Sequence, residues 1–269
     1  MRCLVASKLK RRPRFLTVRR VRYLSPHMIR VTFAGPELEG FPLGHEGANC
    51  KLVLPRDGES REAFEAYFAP DAPEEKIHPV RTYTIRSYRP VELELDIDFV
   101  AHGDEGPATR WAQQAREGSF LGLFGPSQPK ITEFYAEWYL VAADLSAMPV
   151  AEATLEAMPA EARGVAVFEV PSKEDIREIK APAGIELHWL VHENVYQPSV
   201  AQFDFVTSMN WPIGVVQTCI AGESSVIKAL RGYLHNERKL PKKDTYISGY
   251  WKIGLVEDEH QKMKRAEAA

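Results

Sequence analysis

The chain has no long hydrophobic run. No apolar stretch approaches the ~20 residues that a membrane-spanning helix needs, so membrane insertion is not expected. The first residues, Met1 to Arg12, begin with charge and carry only a short apolar patch, so no secretory signal is expected. Cysteine is scarce: Cys3, Cys50 and Cys219 are odd in number and far apart. They suggest neither a disulfide framework nor a metal site, and they suit a reduced cytoplasmic setting. An excess of positive charge is missing as well. Lys and Arg total 34 against 37 Asp and Glu, a formal net charge of −3, which argues against nucleic-acid binding by bulk electrostatics. The nucleophile-elbow pattern G-x-S-x-G and the P-loop are absent. His188 and His192 are spaced by four, but in an expected strand with no evident third ligand. There is no internal repeat and no low-complexity segment.

What remains is an ordinary globular composition: 269 residues, 45% hydrophobic and 26% charged. That length suits one large domain or two small ones. The segment from Arg14 to Phe33 reads as two strands around Leu24-Ser-Pro26, and Ala48 to Leu54 as another. Asp57 to Lys76 is polar, an expected surface insertion with a short helix at Arg61 to Tyr67. With the strands near residue 90 and one at Gly118 to Gly125, the first half predicts an antiparallel barrel of about six strands. From Ile131 the pattern changes. Strands are expected over 138–143, 165–170, 185–191, 213–221 and 246–251, with helices over 147–157 and 224–234. Strands that alternate with helices imply a parallel sheet. The expected units are therefore 14–128, 131–256 and a charged helical tail over 257–269.

The chain is organised around Arg81-Thr-Tyr-Thr-Ile-Arg86 and the strand, turn and helix after it. On an extended strand Arg81 and Tyr83 share one face and Thr84 takes the other. Val91 to Phe99 alternates apolar and acidic residues, which predicts a half-buried strand with Glu92, Glu94 and Asp96 on its wet side. Gly106-Pro107 then places Pro where a helix begins, and Ala108, Trp111, Ala112 and Ala115 recur at helical spacing. Free N–H groups at a helix start attract anions, Arg81 can grip a phosphate through two parallel hydrogen bonds, and Tyr83 can lie against a ring. Together they form a site for a flat ring joined to a phosphate.

The run R-T-Y-T-I-R followed by D-F-V-A-H-G-D-E-G-P-A-T-R-W-A resembles the siderophore-interacting proteins, FAD-containing ferric-siderophore reductases related to the ferredoxin–NADP reductases. The resemblance extends to Val18–Phe33, Ala221-Gly-Glu223 and Tyr250–Gly254, and so covers nearly the whole chain. It implies an N-terminal flavin-binding β-barrel followed by a Rossmann-like α/β domain. It implies that Arg81, Tyr83 and Thr84 hold the isoalloxazine and diphosphate. Asp98, Phe99, Val100 and His102 would shape the loop around the cofactor, Gly106, Pro107, Ala108 and Thr109 would bind the diphosphate, and Trp251 would be the terminal aromatic near the flavin.

The electron-donor site is expected at Asp144 and at Gly222, Glu223 and Ser224. There Gly222 would allow close backbone approach and Ser224 would cap the helix that follows. Leu145 and Ser146 depart from the acid and threonine usual in the family. An anionic ferric siderophore is expected to meet a cationic surface drawn from Lys252, Lys242, Lys243, Lys239 and Arg231. The donor is left open between NAD(P)H and ferredoxin. Two other readings stay open: a flavin oxidoreductase with a different acceptor, and a siderophore-binding accessory protein.

Overall fold

The computed structural model describes residues 12–72, 77–101 and 106–255, together with Glu259 and Met263. The basic start at 1–11, His102 and, apart from Glu259 and Met263, the expected tail helix lie outside the described residues.

The first half forms seven strands: β1 (Arg14–Ser25), β2 (Met28–Ala34), β3 (Asn49–Val53), β4 (Val80–Thr84), β5 (Ser87–Arg89), β6 (Glu94–Val100) and β7 (Phe120–Phe124), with helices α1 (Arg61–Ala66) and α2 (Pro107–Gln114). The sheet order is β4-β3-β7-β1-β2-β6-β5, and each neighbouring pair is antiparallel. Its two edge strands are consecutive in sequence. The Arg86 N–H donates to the Asp96 carbonyl at 3.0 Å, so the sheet closes into a barrel. Leu16, Val31, Phe33, Leu52, Ile97 and Phe99 fill the interior. The strand beyond the expected six is β5, three residues long, too short to show a period of its own.

One strand departs from its expected environment. Val91 to Leu93 form a turn, with Leu93 at φ 49°, and the strand begins at Glu94. Its acidic face is not wet: Glu94, Asp96 and Asp98 are 8%, 5% and 4% exposed. Arginines from β1, β2 and β5 cover that face. Arg30 meets both Asp98 oxygens at 2.7 Å. Arg89 meets Asp96 at 2.7 and 2.9 Å and Glu94 at 3.0 Å, and Arg19 meets Glu94 at 2.9 Å. The alternation was legible, but the arginine layer over it comes from the order of the strands.

The second half forms β8 (Trp138–Asp144), α3 (Met148–Ala157), β9 (Arg163–Val170), β10 (Gly184–Val191), α4 (Ala201–Ser208), β11 (Val216–Glu223), α5 (Ser224–Gly232) and β12 (Thr245–Trp251). A π-helical turn over Tyr233–Glu237 extends α5. The sheet is parallel in the order β10-β9-β8-β11-β12. Strand order therefore reverses between β8 and β11, the position where such sheets place ligands beyond the carboxyl ends of their strands. Helix α4 was not anticipated, because Ala-Gln-Phe-Asp-Phe-Val-Thr-Ser mixes aromatic and β-branched residues that favour strands. Its buried Gln202 donates to the Ala143 carbonyl at 2.9 Å, a tertiary contact that local propensity does not report.

Helix α3 is buried from Met148 to Leu155, so both faces are covered. Glu152 on α3 receives Arg86 at 3.0 Å and Arg177 at 2.5 Å. Asp175, fully buried, accepts the Ser25 hydroxyl at 2.6 Å and the His27 N–H at 3.0 Å. Met28 of β2 sits in the core of the second sheet. The barrel and the parallel sheet thus meet across a polar seam with an apolar plug beside it.

Candidate functional site

Strand β4 carries the central motif. Arg81 and Tyr83 are half-exposed, whereas Thr84 is buried, as the alternation requires. The Tyr83 ring lies 4.4 Å from Phe99 at 42°. Phe99 in turn packs on Trp111 of α2 at 5.8 Å, and this aromatic stack fixes the position of the Tyr83 face. Phe99 is therefore a core brace behind Tyr83. Val100, half-buried, packs toward the second sheet, and its carbonyl accepts the Thr109 hydroxyl at 3.2 Å. That bond anchors the start of α2 to the end of β6.

Helix α2 begins as expected. Gly106 is its N-cap with extended backbone, Pro107 occupies the first turn, and no side chain caps the helix start. Ala108 is core and Thr109 is buried. A helix start left without a side-chain cap keeps backbone donors for an anion. Asp98 does not join this group. Its carboxylate is fully buried and held by both ends of the Arg30 guanidinium. It is part of the barrel wall.

The residues expected to bind an electron donor do come together, but they bind one another. Asp144, at the carboxyl end of β8, accepts from five groups. These are the Ser146 N–H at 2.9 Å, the Ser146 hydroxyl at 2.6 Å, the Ala147 N–H at 3.2 Å, the Glu223 N–H at 2.8 Å and the Trp251 indole N–H at 2.7 Å. Burial pushes the carboxyl above the usual range, and the bonds from Ser146 and Trp251 oppose that shift. A Cβ on Gly222 would stand 2.7 Å from Asp144 Oδ2, so glycine is there to admit that carboxylate rather than a nucleotide backbone. Glu223 caps α5, accepting from Ser225 N at 2.6 Å and Val226 N at 3.2 Å. Ser224 instead donates to the Trp251 carbonyl at 2.8 Å. The backbone N–H groups at the switch point already face an anion, and that anion is Asp144.

The five cations expected to greet an anionic chelate do not form one patch. Lys242 and Lys243 precede β12, and Lys252 follows it. The seven residues of β12, at roughly 3.3 Å each, keep them more than about 20 Å apart. Lys239, at φ 59°, is exposed, and Arg231 donates to the Ile247 carbonyl at 2.9 Å from the exposed side of α5. Only Lys252 stands next to Trp251, half-buried, with its ammonium 3.4 Å from the Met263 sulfur.

Sequence reasoning missed Tyr246 and Tyr250. Their hydroxyls lie 2.9 Å apart on β12. Their even spacing on one strand was the available signal, since it places both on one face.

Residues 17–130 match the siderophore-interacting FAD-binding domain and residues 136–254 match the siderophore-interacting protein model. The chain belongs to the siderophore-interacting protein family. Ferric vibriobactin reductase ViuB of Vibrio cholerae serotype O1 is 37% identical over 255 residues, covering 91% of this chain and 92% of that protein. An NADPH-dependent ferric-chelate reductase of Escherichia coli is 28% identical over 253 residues, covering 88% and 92%. Among solved structures, the siderophore-interacting protein SipS of Aeromonas hydrophila is 32% identical, with a TM-score of 0.80 over 96% of this chain and 98% of that one. The barrel followed by a parallel sheet is the architecture of that family, and a Plasmodium falciparum ferredoxin–NADP+ reductase shares the fold at TM-score 0.59 and 14% identity.

Proposed function

We propose that this protein is an FAD-dependent ferric-siderophore reductase acting in the cytoplasm. The observation that carries the reading is the convergence at one end of β4. A half-exposed arginine and tyrosine and a buried threonine share that strand, and the Tyr83 ring packs through Phe99 on Trp111 of α2, the helix whose start has no side-chain cap. That donor set suits FAD: a guanidinium and helix N–H groups for the diphosphate, an aromatic face for the ring, a hydroxyl for its edge. Bound FAD would supply the redox chemistry, taking two electrons from a donor and giving them up one at a time.

The chain's own residues position and shield. Arg81 and the first turn of α2 would hold the diphosphate, with Arg81 contributing a charge-assisted contact. Tyr83 presents a face braced by Phe99. Trp251, held by Asp144 at 2.7 Å, would be the terminal aromatic near the flavin. The substrate is iron(III) in a siderophore, whose hard oxygen donors favour the higher charge, so reduction to iron(II) loosens the grip. Lys252 is the cation best placed to meet an anionic chelate. The reduced donor is NAD(P)H or a ferredoxin. The switch-point N–H groups are satisfied by Asp144, so a nicotinamide nucleotide would not find its phosphate site there without displacing that carboxylate.

The test begins with flavin retention. Arg81→Ala is expected to lose most of its FAD on gel filtration, read as the ratio of flavin to protein absorbance, and an unchanged ratio removes Arg81 from the site. Ferrous-iron trapping with ferric chelates, run against free flavin as acceptor, then separates siderophore reduction from a different acceptor. Reoxidation by an anionic chelate is expected to slow as salt rises, because the Debye length is about 10 Å at 0.1 M. Neutral chelates showing the same slope exclude cationic docking at Lys252.

A further inference from the structure

The seam between the two sheets holds a cavity of about 590 Å³, a size within the range of small-molecule sites. Its walls come from both halves of the chain. Arg22, Leu24 and Arg30 belong to β1 and β2, and Arg86 follows β4. Glu152 and Glu156 belong to α3, and residues 177–181 to the segment between β9 and β10. Most of the charge on these walls is matched. Arg30 is held by Asp98. Arg86 and Arg177 share Glu152, and Glu156 also takes Arg86. Arg22, Lys180 and Glu178, all exposed, take no part in these pairs. The lining therefore keeps an excess of positive charge.

Two details point to a missing anion. Arg22 and Arg30 stand directly opposite each other in the register of β1 and β2, and like charges so placed repel. Arg177 Nε is buried and has no hydrogen-bond partner among the described residues, whereas a buried donor normally has one. An oxyanion in the cavity would answer both, accepting from Arg177 and lying near charges that otherwise repel. Leu24, Ile179 and Ala181 line the rest of the cavity. Cationic groups beside an apolar wall suit a carbon skeleton that carries charged groups better than a bare inorganic ion.

We propose that this cavity binds a small organic polyanion, a polycarboxylate or a phosphate ester, whose oxygens meet Arg177, Arg22 and Lys180. Carboxylate and phosphate share the planar, paired recognition that a guanidinium offers. Arg22 comes from the barrel and the other two cations from the second half, so a bound polyanion bridges the sheets. By mass action it stabilises their docked arrangement. The proposal does not depend on the flavin reading above.

The experiment titrates the purified full chain by isothermal calorimetry, with citrate and with ribose 5-phosphate as probes. Ionic strength is held constant with sodium chloride, so that general screening does not change. Saturable binding of at least one probe is expected, and the probe that binds tells carboxylate from phosphoryl recognition. The double variant Arg22→Gln, Lys180→Gln is expected to weaken that binding about tenfold or more, the scale of a lost charge-assisted contact. Arg177→Lys keeps a cation beside Glu152 but removes the buried guanidinium N–H, and it is expected to weaken binding as well. Lys228→Gln, on the exposed side of α5, serves as control and keeps wild-type affinity. The bound probe should also raise the melting temperature of wild type more than that of the double variant. If Arg177→Lys does not fold, the exposed double variant decides alone. Absence of saturable binding by either probe overturns the proposal, because water then serves the buried N–H. Wild-type affinity in the double variant overturns it too. Binding that is lost in Arg81→Ala and kept in the double variant places the anion on the motif strand instead, which also overturns the seam site.

Discussion

At the residue scale, Asp144 shows how one carboxylate can take over a position that sequence assigns to a ligand. Its Oδ2 faces two N–H donors, from Glu223 and Trp251. Asp144→Asn would turn an amide N–H2 toward one set of donors, leaving buried N–H groups without an acceptor. We expect a loss of about 1–3 kcal/mol from such an unsatisfied group, read by urea denaturation. The Trp251 indole N–H resonance, assigned with Trp251→Phe, is expected to move upfield as its charged acceptor disappears. A mutant with wild-type stability and an unmoved resonance would show that Asp144 does not hold Trp251. The cysteines belong to this scale as well. Cys50 is pushed by burial to about 12, so it is an inert core residue opposite Tyr83.

At the scale of elements, β6 is the instructive strand. Its inner face is apolar and its outer face is a ladder of carboxylates under arginines from β1, β2 and β5. Arg30 and Asp98 stand directly opposite in the register of β2 and β6. Removing one member of a buried pair costs about 3–5 kcal/mol, while replacing both with apolar residues is often neutral. Asp98→Ala is therefore expected to lower stability by that amount, and Arg30→Met with Asp98→Leu to recover most of it in chemical denaturation. Asp96 adds a pH dependence. Although burial alone would raise its carboxyl, the bonds from Arg89 and Thr32 hold it below the ordinary value. The folded form thus binds its proton less readily than the unfolded one. Its contribution is present above about pH 4, the unfolded value, and is lost as pH falls through the lower folded value. The stability gap between wild type and Asp96→Asn should narrow below about pH 4, and a gap that stays constant down to acid pH would contradict the pairing.

At the scale of the whole molecule, the two sheets are held in register by a polar seam. Arg86, two residues past Thr84 on the motif stretch, reaches Glu152 and Glu156 on α3 at 3.0 and 2.7 Å. Glu152 also takes Arg177. The flavin motif and the docking of the second sheet are thus set by one short segment. Glu152→Ala leaves two arginines with a partner fewer in a buried place, and a loss of about 3 kcal/mol is expected. Hydrogen exchange should quicken along Met148–Ala157 more than along β9. Equal protection in mutant and wild type would mean that the seam does not secure α3.

The sequence by itself determined most of the order of elements, though neither α4 nor β5, and the motif strand. Alternation, helix spacing and the Gly106-Pro107 start are local patterns, and local patterns survive without coordinates. Arg81, Tyr83 and Thr84 fell on the faces their spacing dictates. Tertiary structure decided what each polar group is for. Asp98 was expected at the cofactor, and strand order placed Arg30 beside it. Gly222 and Asp144 were expected at a donor site, and β8, β11 and β12 brought the Asp144 carboxylate onto N–H groups from three segments. The lysines looked like one cluster until a strand separated them. Tyr246 and Tyr250 carried no motif, and only the folded strand brought their hydroxyls to 2.9 Å. The physical reason is common to all of these. A charge or hydroxyl is defined by what neutralises or bonds it, and those partners lie far away in sequence and close in space.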